Sequence, residues 1–174
     1  MRTTTKVIVA AAVVAGLGAA GPARADQLPA TYAGPGSERA TTQAEKLESQ
    51  ALDLFSQPDQ YCKAAKLLQR AAKERALGDP VRIRDLHLAS RLSYYGGREG
   101  KALDLMQQSA AESLATGDVI AAANRYVDAA FLAKSTGDAG LALEMVKKAT
   151  LLAGSPLIDV AARTSILTRV EADT

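Results

Sequence analysis

The chain has 174 residues, 48% of them apolar but only 4% aromatic, with a single cysteine and a single histidine. It carries 21 Lys+Arg against 19 Asp+Glu, and three of the basic residues (Arg2, Lys6, Arg24) fall in the first 25 positions, leaving 18 against 19 and a net charge of −1 beyond them. These figures exclude an intramolecular disulfide, give no support to nucleic-acid binding, which needs a strongly basic domain, and leave too few soft ligands for a Cys/His zinc site.

The chain opens with a short basic start at Arg2 and Lys6, followed by 15 uncharged residues from Val7 to Gly21 and by Ala23-Arg24-Ala25. A basic start, an apolar run and small residues at the cleavage positions are the three parts of a secretory signal. The run is shorter than the ~20 residues that cross a bilayer. Residues 1–25 are therefore expected to be a signal peptide. The mature chain would be exported, periplasmic or extracellular, with no stable membrane span after cleavage. Residues 26–37, DQLPATYAGPGS, hold two prolines and two glycines without a helical period and read as a leader.

From residue 38 to 174 the sequence predicts one all-α domain, with no run of sheet formers at period two. The first helix is expected over 38–56, with Ala44, Leu47, Ala51, Leu54 and Phe55 as its apolar stripe. Pro58 stops it and Asp59 is expected to cap the second, over 60–77. There Tyr61, Ala64, Leu68, Ala71 and Ala72 face inward, amid basic Lys63, Lys66, Arg70, Lys73 and Arg75. Cys62 reads as a small buried residue on this helix. Gly78 ends the segment, Asp79 caps the third helix and Pro80 takes its first position. The third helix, 80–95, buries Ile83, Leu86, Ala89 and Leu92 and is broken by Gly96-Gly97. The fourth, 98–116, offers Ala102, Leu103, Leu105, Met106, Ala110 and Leu114. Asp118 caps a fifth that runs to 136, packed through Ala122, Ala123, Tyr126, Ala129, Ala130 and Ala133, with Phe131 and Leu132 beside them. Asp138 opens the sixth, 139–153, whose inward residues are Leu141, Ala142, Met145, Val146, Ala149 and Leu152. Ser155 and Pro156 are expected to start the last, 156–172, with Leu157, Val160, Ala161, Ile166, Leu167 and Val170 on its apolar side.

The breakers recur with a period. Counted from Pro58, Asp79, Gly97, Asp118, Gly137 and Ser155, the steps are 21, 18, 21, 19 and 18 residues, so two helices make a repeat of 37 to 40. Such a period marks stacked helical repeats. The even-numbered helices share a pattern: Ala64-x3-Leu68-x2-Ala71, Ala102-x3-Met106-x2-Ser109 and Ala142-x3-Val146-x2-Ala149, offset by 38 and 40. A small residue, a large one four later and a small one three later resembles the second helix of a tetratricopeptide repeat. Phe55 stands nine residues before Ala64, where that family places an aromatic. Leu52 stands where a small residue is usual, no tryptophan or glycine marks the first helices, and the period exceeds the ~34 of the family. The resemblance covers 38–172 and implies a right-handed α-solenoid of three antiparallel helix pairs closed by a C-terminal capping helix. It also implies that the third and fifth helices line a concave groove.

Chemistry for catalysis is not visible. His87 has no nucleophile signature beside it, there is no phosphate-binding GxxxxGK[ST] loop, and Gly96–Gly100 reads as a turn between helices. No enzyme activity, cofactor or metal is expected. The candidate binding residues are Arg84, His87 and Arg91, on one face of the third helix at i, i+3 and i+7, with Tyr94 at its end. The implied groove adds Asn124 and Asp128. Arginine forks hold carboxylates and tyrosine supplies amphipathic contact area. The expected function is an exported, non-enzymatic adaptor for a protein or peptide partner. The alternative is a structural, self-assembling component of the cell envelope.

Overall fold

The computed structural model describes residues 42–173. The expected signal segment, the leader and Glu38 and Arg39 lie outside the described residues. Seven α-helices follow one another: α1 (Gln43–Leu52), α2 (Tyr61–Lys73), α3 (Pro80–Tyr95), α4 (Glu99–Ala115), α5 (Val119–Ser135), α6 (Ala139–Ala153) and α7 (Val160–Asp173), with a 3₁₀ turn at Pro58–Gln60 and no strand among the described residues. Each helix packs on the next, and α7 also packs on α5.

The joints explain why the helices end where they do. Gly117 and Gly137 each have φ of +83°, a left-handed conformation that only glycine adopts without cost. This lets the Asp118 amide donate back to Ser113 O at 2.9 Å and the Asp138 amide to Ala133 O at 2.9 Å. The same aspartates then turn forward. Asp118 Oδ1 accepts from the Ala121 amide at 3.0 Å and Asp138 Oδ1 from the Leu141 amide at 2.9 Å. A Gly-Asp pair thus closes one helix and caps the next. Asp79 caps α3 through the Val81 amide at 2.7 Å, with Pro80 in the first turn as expected.

More than half of the buried apolar residues are alanine, among them Ala64, Ala89, Ala102, Ala122, Ala129 and Ala149, all fully inaccessible. Small side chains let helix axes approach closely. Leu68, Met145 and Ile166 are the largest fully buried apolar side chains, each worth roughly 1.5–3 kcal/mol of burial. The motif residues of α2 and α4 are all buried, whereas in α6 only Ala149 is, with Ala142 and Val146 partly covered.

Close approach also builds a polar core. Ser90 Oγ donates to Ala102 O at 2.6 Å and Ser109 Oγ to Ile83 O at 2.9 Å, crossing between α3 and α4 in both directions. Arg82 is buried. Its Nε and Nη2 grip Glu112 of α4 at 2.8 and 2.9 Å, and its Nη1 donates to Ala72 O of α2 at 2.6 Å. Burial pushes the Glu112 carboxyl upward, but hydrogen bonds from Arg82 and Gln108 and the Arg82 charge outweigh it, so the group titrates below the ordinary carboxylate range.

Several boundaries differ from those the sequence predicts. The first helix starts with a capping box: Thr42 accepts from the Glu45 amide at 3.2 Å, and Glu45 Oε2 accepts from the Thr42 amide at 2.6 Å. Asp59 does not cap α2. It sits inside the 3₁₀ turn and accepts from Gln60 Nε2. α2 stops at Lys73, short of Gly78. The last helix starts at Val160 rather than Pro156, because Asp159 Oδ1 caps the Ala162 amide at 2.7 Å while Ser155 Oγ accepts from the Leu157 amide in the preceding turn. That turn buries Ile158 and leaves Leu157 and Val160 74% and 77% exposed, so neither belongs to the inward side.

Cys62 is half-buried, and its thiol donates to Gly96 O at 3.4 Å. A Cβ on Gly96 would stand 2.6 Å from the sulfur. Gly96 is therefore required by contact rather than by its backbone angle. Gly96→Ala is expected to cost about 1–3 kcal/mol, and Cys62→Ala in the same chain to recover most of that loss. Urea denaturation of the two singles and the double checks it: strictly additive effects contradict the contact.

Candidate functional site

A cleft of about 410 Å³ opens between α3 and α5. α3 contributes His87, Arg91, Tyr94 and Tyr95, at i, i+4, i+7 and i+8 on one face. α5 contributes Asp128, Phe131 and Leu132, α4 gives Met106 to the floor, and Arg169 enters from α7.

The aromatic side chains form a row. Phe131 meets Tyr94 edge-on with centroids 5.7 Å apart, Tyr94 meets Tyr95 at 5.6 Å, and Tyr95 meets Tyr61 of α2 at 6.2 Å. Such tilted and edge-on pairs are the favoured geometry for aromatic quadrupoles. Phe131 is 43% exposed and forms the open end of the row.

The charges of the cleft are unevenly matched. Arg169 pairs with Asp128 and also donates to Asn124 Oδ1 at 2.8 Å. Arg125, behind the cleft on α5, bonds Ser113 of α4. No hydrogen bond or ion pair engages Arg91 among the described residues. Three guanidinium groups, of Arg91, Arg125 and Arg169, thus act on a space that holds one carboxylate, Asp128.

His87 stands among them. Its Nε2 is 3.8 Å from Asp128 Oδ2, beyond hydrogen-bond reach, and is buried without a partner. Burial lowers its pKa first. Asp128 opposes that shift, Arg125, Arg91 and Arg169 add to it, and the imidazole is brought from 6.5 to about 4. The ring is neutral at pH 7. The residues lining the cleft include no serine, threonine or cysteine. Among the described residues no group of three His, Cys, Asp or Glu is placed to hold a metal, and no helix is long and apolar enough to cross a membrane.

No family model matches the chain, and neither a curated protein nor a solved structure is significantly similar to it.

Of the residues singled out from the sequence, His87, Arg91, Tyr94 and Asp128 meet in this cleft. Arg84 does not. It lies one turn earlier on α3, paired with Glu48 of α1 and with Asp85 beside it, and Arg75 reaches the same two carboxylates at 2.7 Å each. Asn124 touches the site only through Arg169, and its own amide nitrogen donates to Ile120 O at 3.1 Å. Sequence reasoning missed Arg169 and Phe131. Phe131 follows Asp128 by three and shares its face, a spacing that was readable. For Arg169 there was no local signal, since it depends on α7 returning to α5.

The neutral imidazole gives the stability a pH dependence of known sign. Below pH 6.5 the unfolded chain takes up a proton at His87 that the folded chain refuses until about pH 4. Stability therefore falls as pH falls through that window. From pH 7 to pH 5 the wild type is expected to lose about 2 kcal/mol more than His87→Gln. Guanidinium denaturation at the two pH values measures the difference, and equal losses in both chains contradict the buried neutral ring.

Proposed function

We propose that this chain is an exported, non-enzymatic adaptor for a protein or peptide partner. Its helices would form a right-handed α-solenoid of tetratricopeptide type, with α1/α2, α3/α4 and α5/α6 as antiparallel pairs and α7 as the cap. The sequential packing of the helices, the buried motif residues on α2 and α4 and the short Gly-Asp joints support that architecture. The observation that carries the binding reading is the cleft itself. An unpaired Arg91 stands beside a row of aromatic side chains that ends in a partly exposed Phe131. Arginine and aromatic residues with an apolar floor are the groups enriched where partners bind. Arg169 of α7 occupies part of the same cleft, so the partner's anchor would be short rather than an extended strand running its full length.

The second reading, self-assembly, has its own observation. Leu151 on α6 is 78% exposed, and Leu157 and Val160 stand beyond the end of that helix, equally uncovered. Large apolar side chains left this exposed are candidates for contact with another copy.

Affinity capture from an envelope extract separates the two. The Arg91→Glu chain is expected to recover at least ~10-fold less of the partner than the wild type, while Lys66→Glu, on the exposed face of α2, recovers it fully. Equal recovery by all three baits places the contact outside the cleft. Recovery of the chain alone, with light scattering showing a dimer that Leu151→Glu dissociates, supports self-assembly.

A further inference from the structure

The chemistry of the cleft narrows what it takes. Arg169 already divides its donors between Asn124 and Asp128, and Arg125 is committed to Ser113. Arg125 also leaves its Nε without a partner, but it does not line the cleft, so Arg91 is the one lining guanidinium that makes no hydrogen bond or ion pair among the described residues. A single fork matches the two oxygens of a carboxylate. A phosphate would ask for more donors, which proteins usually supply from helix N-termini or backbone nests. This cleft has none, because every residue lining it lies inside a helix with its backbone amide already engaged.

An extended peptide is also poorly served. Holding a peptide backbone takes side-chain amides or free main chain, and the one amide near the cleft is spent at both ends, Oδ1 on Arg169 and Nδ2 on Ile120. What remains is one ionic clamp and an apolar floor, beside the buried imidazole of His87. The volume of about 410 Å³ is within the ~300–1,000 Å³ typical of small-molecule sites. The exposed edge of Phe131 leaves room for the aromatic row to continue.

Resting on the reading of this cleft as the binding site, we propose that it takes a small aromatic monocarboxylate, its carboxylate clamped by Arg91 beside His87 and its ring seated against Tyr94, Phe131 and Met106. The adaptor would then be a ligand-responsive one, the small acid competing with the partner's anchor for Arg91. The acid touches α3, α4 and α5 at the place where Arg169 ties down α7, so occupancy stiffens the C-terminal half of the helical array.

The test is a titration of the full ¹⁵N-labelled chain with 3-phenylpropionate, its neutral amide 3-phenylpropionamide, phenyl phosphate and a terminally blocked Glu-Phe dipeptide, followed by amide chemical shifts. Saturable shifts centred on residues 87–95 and 128–132 are expected with the acid, with the amide and the phosphate ester at least ~10-fold weaker. Arg91→Met is expected to weaken the acid by ~10-fold or more without moving the melting temperature, since Arg91 holds no structural partner. Equal binding of acid and amide, or an acid indifferent to Arg91→Met, overturns the proposal. So does saturable binding of the dipeptide alone, which leaves the cleft standing as a peptide site. Failure of every probe while partner capture remains dependent on Arg91 removes the small ligand and keeps the adaptor. Failure of both removes the cleft as a binding site.

Discussion

The close approach of alanine-lined helices is the constraint from which the rest of this fold follows. A helix face of Ala64, Ala71 and Ala72, or of Ala122, Ala129 and Ala133, buries little area per residue, so contact at short interaxial distance has to supply what large side chains supply elsewhere. Short distance then makes a second kind of bond available. A serine hydroxyl reaches less than 3 Å and ordinarily finds only its own helix. Here Ser90 and Ser109 find carbonyls of the facing helix, one in each direction between α3 and α4. Substituting a larger residue for Ala102 or Ala89 would force the pair apart and strand both hydroxyls, coupling a packing defect to two buried unsatisfied groups.

The same closeness governs the charged residues inside. Arg82 is almost wholly buried yet has partners on both neighbours, a carboxylate on α4 and a backbone carbonyl on α2. Asp85 is fully buried, and burial raises its pKa against the lowering pull of Arg75 and Arg84. Breaking either set would leave a charge without water or partner, which costs far more than the intact pair gains. These residues therefore fix which helices sit beside α3 rather than adding much net stability. They also divide α3 into two working faces. Arg82, Asp85, Ser90 and Ser93 face its neighbours, while His87, Arg91, Tyr94 and Tyr95 are left for the cleft.

What could be read from the sequence was the punctuation. Gly-Asp pairs carry their meaning locally, since glycine's freedom at positive φ and aspartate's reach to the third amide ahead need no tertiary partner. Asp118, Asp138 and the Asp79-Pro80 start accordingly fall where expected. The inward stripes of α3 and α5 were equally legible, because they follow the helical period. The last helix was not. Ser155-Pro156 and Asp159-Val160 both offer a capping residue, and the choice between them depends on burying Ile158 and on Arg163 bonding back to Ala153 O at 2.9 Å. The polar core was illegible for a similar reason. Periodicity counts Arg82 and Asp85 as surface residues, and only the facing helices turn them inward.

The site shows the same division between local and distant causes. Spacing put His87, Arg91 and Tyr94 on one helical face, and the family resemblance implied Asp128 across from them. The character of the cleft, however, is set by Arg169, which arrives from 41 residues further along the chain to take Asp128. Left unpaired, Asp128 would be a free carboxylate 3.8 Å from His87 Nε2. Burial, first of all, keeps His87 uncharged, and with Asp128 engaged by α7 Arg91 keeps its positive charge unmatched. Through one guanidinium, α7 therefore leaves the cleft with an unmatched cation beside its aromatic rings. The charge that α3 presents to the cleft is thus inseparable from the packing of α7 on α5.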